Sequence, residues 1–162
     1  MTQSEIATAI EACWSIETTY CVENYINRDP AWGNCAVTAL LVQELLGGEL
    51  MQGWAIEPGQ ARTAHYWNRV SGYDLDLTWR QFVQGTILTD TALADYNVLI
   101  ENEWMRERYE NLVAAFCHCI QQMQEAPRED GKLATALGLR TESWVLRSIS
   151  VLRGFRSVPS AG

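Results

Sequence analysis

No run of residues in this chain approaches the ~18 consecutive apolar side chains that a membrane-spanning helix needs, so no membrane partner is expected. The segment Met1 to Ile10 carries Glu5 and lacks both the basic start and the long apolar stretch of a secretory signal. Positive charge is scarce, with 12 Lys and Arg against 20 Asp and Glu and a net charge of −8. Nucleic-acid affinity comes largely from Lys and Arg neutralising phosphates, so no nucleic-acid partner is expected either. Nothing resembles a glycine-rich phosphate cradle or a dinucleotide fingerprint, and no cofactor is expected. Low-complexity tracts and internal repeats are absent. There are two histidines and five cysteines. An odd cysteine count suits free thiols better than a disulfide framework, which points to the cytoplasm, where thiols stay reduced.

What the chain does have is the composition of a folded domain. It is 162 residues long and 48% hydrophobic, with seven Trp and six Tyr, enough to bury a sizeable core. Charge divides unevenly along it. Residues 1–127 hold 6 Lys/Arg and 17 Asp/Glu, whereas residues 128–162 hold 6 Lys/Arg and 3 Asp/Glu. Pro127 to Gly131 is a polar break, and an amphipathic helix is expected from Thr141 through Trp144, Val145, Ile149 and Leu152. The chain therefore divides into a core over 1–127 and a helical extension over 128–162. That extension either packs on the core or offers a face to a protein partner.

Within the core, Thr2 and Glu5 have the spacing of a capping box, and Ile6, Ile10, Cys13 and Trp14 follow as one helical stripe. Thr18 to Trp32 reads as an irregular loop. A helix starting at Asn34 is apolar on nearly every side, so it should be buried on nearly every side, and Gly47-Gly48 ends it. Strands are expected at Leu50–Ile56, His65–Val70 and Asp74–Trp79, the last two separated by a hairpin turn at Ser71-Gly72-Tyr73. After a turn near Gly85, Asp90 or Thr91 is placed to cap a short helix, and Asn102 a longer one through Trp104, Tyr109, Leu112, Val113 and Phe116. Arg106 and Arg108, set among Glu101, Glu103, Glu107 and Glu110, read as a solvated, salt-bridged face of that helix. The order of elements implies α+β: a small antiparallel sheet packed on helices.

Cys35 is the first candidate for chemistry. It follows the turn-like Trp32-Gly33-Asn34 and opens the most hydrophobic helix, where free N–H groups and the helix dipole favour thiolate over thiol. A buried structural cysteine in a tight turn fits the same position, so position alone leaves both readings open. His65 begins a strand whose partner carries Asp74 and Asp76. With a two-residue turn, position 65 faces 78 and 67 faces 76, which sets Asp76 diagonal to His65 on one sheet face. A carboxylate there orients the imidazole and stabilises its charged form. A three-residue loop would send Asp76 to the other face. Asp74 reads as a turn residue. Cys117-His118-Cys119 does not read as a metal site, because adjacent helical residues point in different directions. Cys13 reads as core.

Pro30-Ala31-Trp32-Gly33-Asn34-Cys35-Ala36-Val37-Thr38-Ala39-Leu40, Gly47-Gly48-Glu49, His65-Tyr66-Trp67-Asn68, Asp76-Leu77-Thr78 and Gln81-Phe82 together resemble the YunG-like family. Trp14-Ser15 upstream and Arg108-Tyr109-Glu110-Asn111-Leu112 downstream extend the likeness, which covers residues 6 to 115. The resemblance implies a papain-like or transglutaminase-like fold, with Cys35, His65 and Asp76 as a catalytic set. The family tends to place Gln before the cysteine, where this chain has the shorter amide of Asn34. Asn34, Trp14, Trp32 and Trp67 are the candidates for oxyanion or substrate contact.

Two functions remain in view. One is a thiol-dependent hydrolase or acyl/amide transferase acting on a peptide, amide, ester or other small-molecule substrate. The other is an inactive module of the same fold that binds a peptide or protein through aromatic residues such as Trp54, Tyr66, Trp67 and Trp79.

Overall fold

The computed structural model describes residues 2–125. The expected break at Pro127 and the helix from Thr141 lie outside the described residues. The first helix, α1 (Gln3–Glu11), begins with the anticipated capping box. Glu5 accepts from the Thr2 backbone N–H (2.6 Å) and Thr2 Oγ1 accepts from the Glu5 N–H (3.2 Å). Ile10, Cys13 and Trp14 are buried as expected, and Ile6 is half-buried. The segment read as a loop contains a short helix, α2 (Val22–Asn27). It has neither a side-chain cap nor a buried residue, so it gives no stripe for a sequence reading to find.

Helix α3 (Cys35–Leu46) carries the fold. Every residue from Cys35 to Val42 is buried. From Cys35 to Val42 it leaves no face to solvent, and the sheet and the later helix α5 (Glu103–Glu125) pack against it. Two buried hydrogen bonds set its depth. Trp14 Nε1 donates to Thr38 Oγ1 (2.9 Å), and Asn68 Nδ2 donates to the Ala39 carbonyl (2.9 Å). These polar groups are enclosed and would be costly to leave unpaired.

The sheet is antiparallel, ordered β3-β2-β1-β4, with β1 Glu49–Ile56, β2 Thr63–Val70, β3 Tyr73–Leu75 and β4 Ile87–Leu93. The β2–β3 turn has two residues, with Val70 paired to Tyr73. Both Ser71 (φ 52°) and Gly72 (φ 83°) take positive φ, the signature of the tight hairpin turn that matches strand twist. β3 ends at Leu75, earlier than expected, and a 3₁₀ turn follows at Trp79–Gln81.

β4 corrects the sequence reading, which placed the cap of a short helix at Asp90 or Thr91. The pairing of Gln52 with Ala92 and of Trp54 with Thr89 leaves Asp90 and Thr91 opposite one residue of β1, and Asp90 takes φ 52°. This bulge breaks the alternation that would have marked a strand. β4 is also an edge strand, with Ile87 and Leu93 exposed, so burial leaves no signal either. The short helix begins later, at α4 (Tyr96–Glu101), where Asp95 caps the Asn97 N–H. Asn102 then caps α5 (Glu103–Glu125), as expected, through the Met105 N–H. Tyr109, Leu112, Val113 and Phe116 face the core, and Trp104 lies exposed.

The turn ahead of α3 depends on Gly33. Its φ is +75°, and a Cβ there would lie 2.5 Å from Thr19 Oγ1 and 2.7 Å from the Tyr20 N. The carbonyls of Trp32 and Gly33 accept from Thr19 Oγ1 (2.6 Å) and the Tyr20 N–H (2.9 Å), so loop and turn are laced together. Gly33→Ala combines a left-handed φ with a backbone clash and is expected to destabilise the fold by about 2 kcal/mol or more. Urea denaturation followed by circular dichroism checks this; an unchanged midpoint would contradict the packing described.

Candidate active site

His65 is the centre of the site. It lies on β2 opposite Gly53 of β1 and has 0% exposure. Its Nε2–H donates to Asp76 Oδ2 at 2.6 Å. Asp76 sits one residue past the end of β3. Its other oxygen, Oδ1, accepts from the Thr78 N–H (2.9 Å) and the Thr78 hydroxyl (3.0 Å). Both carboxylate oxygens are therefore committed, and the aspartate is fixed before it meets the ring.

With Nε2–H given to Asp76, the acceptor face of the imidazole is Nδ1. Gln81 Nε2 lies 3.5 Å from it, and Cys35 also hydrogen-bonds to the ring. Burial alone lowers the pKa of His65. The hydrogen bonds of Asp76 and Cys35, and then the charges of both, outweigh that effect and hold the pKa at about 9. Cys35 is the first residue of α3 and is 9% exposed. Asn34 supplies no side-chain cap, so the first N–H groups of α3 keep their positive potential. On β2 the same thiol's charge helps burial raise the pKa of Tyr66.

The structure thus brings Cys35, His65 and Asp76 together in the chain order helix start, strand, and the corner after the next strand. Asp74 pairs instead with Arg69 at 2.9 Å on the exposed side of the hairpin.

Aromatic rings enclose the imidazole. Trp67 stacks on it at 5.9 Å with an interplanar angle of 14°, and Phe82 (4.9 Å) and Trp79 (5.7 Å) meet it edge-on. Trp79 is 39% exposed and forms the outer wall. This segment is tied down at both ends. Arg80 pairs with Glu11 (2.8 Å) and Asp29 (3.2 Å), while the Val83 N–H and Arg28 converge on the buried carboxylate of Glu57. Trp32 joins the cluster through Phe82 at 5.7 Å, with Arg28 stacked 3.9 Å above it. Trp14 belongs to the main core, hydrogen-bonded one turn along α3. Asn34 is fully buried, its Nδ2 donating to the Pro30 carbonyl at 2.8 Å.

Two residues escaped the sequence reading. Gln81 was noted only as part of a motif, yet it is buried and links the halves of the site. Its Oε1 accepts from the Gly33 N–H (3.3 Å) and its Nε2 donates to the Thr78 carbonyl (2.9 Å). Arg108 was read as solvated and is 4% exposed. Its guanidinium donates to the Thr18 carbonyl (Nε, 3.0 Å) and the Gly33 carbonyl (Nη2, 2.7 Å). The surrounding glutamates made a salt-bridged face the natural local reading. The true partners are distant in sequence, and no local pattern reports them.

Among the described residues, no group of three or more His, Cys, Asp and Glu side chains is arranged to hold a metal ion. Likewise, no helix among them is long and apolar enough to cross a membrane. Cys13 is held as a neutral thiol, pushed up to about 12 by burial and by the neighbouring Cys119 and Cys117. A cavity of about 310 Å³ lies between α5 and residues 16–22, lined by Tyr20, Trp104 and Arg108 among others, and none of Cys35, His65 and Asp76 lines it.

The family model described as YunG protein matches residues 2–121. The chain belongs to the YunG family. The match spans all the elements from α1 to most of α5, so Cys35, His65, Asp76, Gln81 and Arg108 all lie within the family's region. No curated protein and no solved structure matches the chain.

The raised pKa of His65 has a consequence for stability. A histidine with a folded pKa of about 9, against 6.5 in the unfolded chain, binds its proton more tightly when folded. Its contribution is complete below pH 6.5 and is lost as pH rises through about 9. The urea midpoint of the wild type is therefore expected to fall across that interval. Asp76→Asn removes the carboxylate that favours the imidazolium, so its midpoint should change much less. A flat wild-type profile would contradict the coupling.

Proposed function

We propose that this protein is a thiol enzyme of papain-like or transglutaminase-like type that acts on the carbonyl of a peptide, amide or ester. The observation that carries this reading is the placement of His65, with Asp76 fixed on Nε2 and Cys35, at the start of α3, close enough for its charge to raise the imidazole pKa. Cys35 attacks the carbonyl carbon as thiolate, and the bond to the leaving group breaks from the tetrahedral intermediate. The imidazolium of His65 delivers its proton to the departing nitrogen or oxygen, leaving a thioester on Cys35. Water or an amine then attacks the thioester while Nδ1 takes its proton, and the carbon–sulfur bond breaks to release the acyl product and restore the thiolate–imidazolium pair. The uncapped N–H of Cys35 at the start of α3 is the donor for the developing oxyanion. Five free thiols suit a reducing compartment such as the cytoplasm.

Enclosure of His65 by Trp67, Trp79 and Phe82 favours a second reading, in which the fold serves as a binding module for a peptide or protein and the three residues are inert. Alkylation separates the two. Under the enzymatic reading, iodoacetamide labels Cys35 at about pH 6.5 at least ~10-fold faster in wild type than in His65→Ala, as judged by peptide mass spectrometry. Cys35→Ala should melt as a folded protein and form no acyl adduct with an activated ester. Equal, slow labelling of Cys35 in wild type and His65→Ala would leave the binding module as the better account.

A further inference from the structure

We propose that Arg108 is the positioning residue of the nucleophile. It pins the turn that aims Cys35, and it sets a fixed positive charge on the carbonyl two residues before the nucleophile. This inference rests on the enzymatic reading above and extends it to α5.

A buried guanidinium is strongly desolvated, and such groups are ordinarily paired with a carboxylate. Arg108 is 4% exposed, and among the described residues no ion pair involves it. Glu17 and Glu107 line the same cavity as Arg108 without pairing with it. Its partners are the Thr18 and Gly33 carbonyls, a weak contact from Nη1 to Met105 Sδ (3.9 Å), and the faces of Trp104 (4.7 Å) and Tyr20 (6.0 Å). Carbonyl dipoles and ring faces solvate a cation but do not neutralise it.

The geometry shows where the charge is directed. Gly33 O, gripped at 2.7 Å, belongs to the turn that enters α3 two residues before Cys35. That carbonyl also accepts from the Tyr20 N–H, so it is held from two sides. Burial lowers the pKa of Arg108, while the charge of Cys35 and then that of Tyr20 act in the opposite direction. The charged and titratable groups facing Cys35 are thus His65 and Tyr66 from β2 and Arg108 from α5. Two of the three are cationic at neutral pH. Arginine suits this role better than lysine, because its fork holds two carbonyls at once and keeps its charge when enclosed.

The test compares wild type, Arg108→Met and Arg108→Lys, following Cys35 alkylation by iodoacetamide from about pH 5 to about pH 9 alongside a thermal melt. Arg108→Met should fold and move the half-maximal pH of alkylation upward by about one unit, and Arg108→Lys should recover most of that shift. A folded Arg108→Met with an unmoved profile would overturn the inference, as would Arg108→Lys displaced as far as Arg108→Met. If Arg108→Met does not fold, His65→Ala decides. At low ionic strength the rate ratio of iodoacetate to iodoacetamide at its Cys35 should exceed the ratio for free cysteine in the same buffer. A ratio at or below that of free cysteine would overturn the inference. Wild-type alkylation indifferent to His65 instead counts against the enzymatic reading, which separates the two failures.

Discussion

Eight consecutive residues of α3, Cys35 to Val42, are buried, and a stretch without a solvent face needs partners on every side. The rest of the domain is arranged to provide them. α5, β1 and β2 pack directly against α3, and Ile10 of α1 joins Leu40, Leu50 and Leu112 in a single apolar cluster. Two enclosed polar contacts, at Thr38 and Ala39, restrict rotation and sliding of the helix in a way apolar packing does not. Because α3 cannot shift, its first residue cannot shift either. The candidate nucleophile inherits its position from the buried helix it opens.

A sequence shows what is local or chemically rare. α3 was legible because its apolar residues leave no polar face. The β2–β3 hairpin was legible because Ser71-Gly72-Tyr73 is turn-like, but two and three residues were both open until the pairing of Val70 with Tyr73 fixed the shorter turn. Cys35 and His65 stood out because so few residues of their types sit at element boundaries. What was not legible depends on distance or on broken pattern. β4 hides behind a bulge at Asp90, and α2 has no buried stripe. Arg108 shows the limit most clearly. Its neighbours at helical spacing are glutamates, yet its hydrogen bonds reach to Thr18 and Gly33, 90 and 75 residues away.

The electrostatics of the site run against those of the chain. The net charge is −8, but the enclosed region around Cys35 contains an imidazole that favours its charged form and a guanidinium that, among the described residues, pairs with no carboxylate. Inside a poorly polarisable surround such charges act over longer distances than on the surface. Asp76 lies on the far side of the ring, its own oxygens occupied by His65 and Thr78. The aspartate therefore supports the imidazolium without competing for the place that a substrate carbonyl would take.

The linear order of these groups bears on how the protein is made. Cys35, His65 and Asp76 are synthesised in one stretch, but Arg108 follows 75 residues after the glycine whose carbonyl it holds. A nascent chain that has left the ribosome only as far as α4 already contains the thiol, the imidazole and the carboxylate. It lacks the helix that covers α3 and fixes the turn before it. On the proposed reading, the arrangement around Cys35 is completed among the last steps of synthesis of the family-matched region, and a polypeptide cut short before α5 carries a cysteine that lacks the contact at the Gly33 carbonyl.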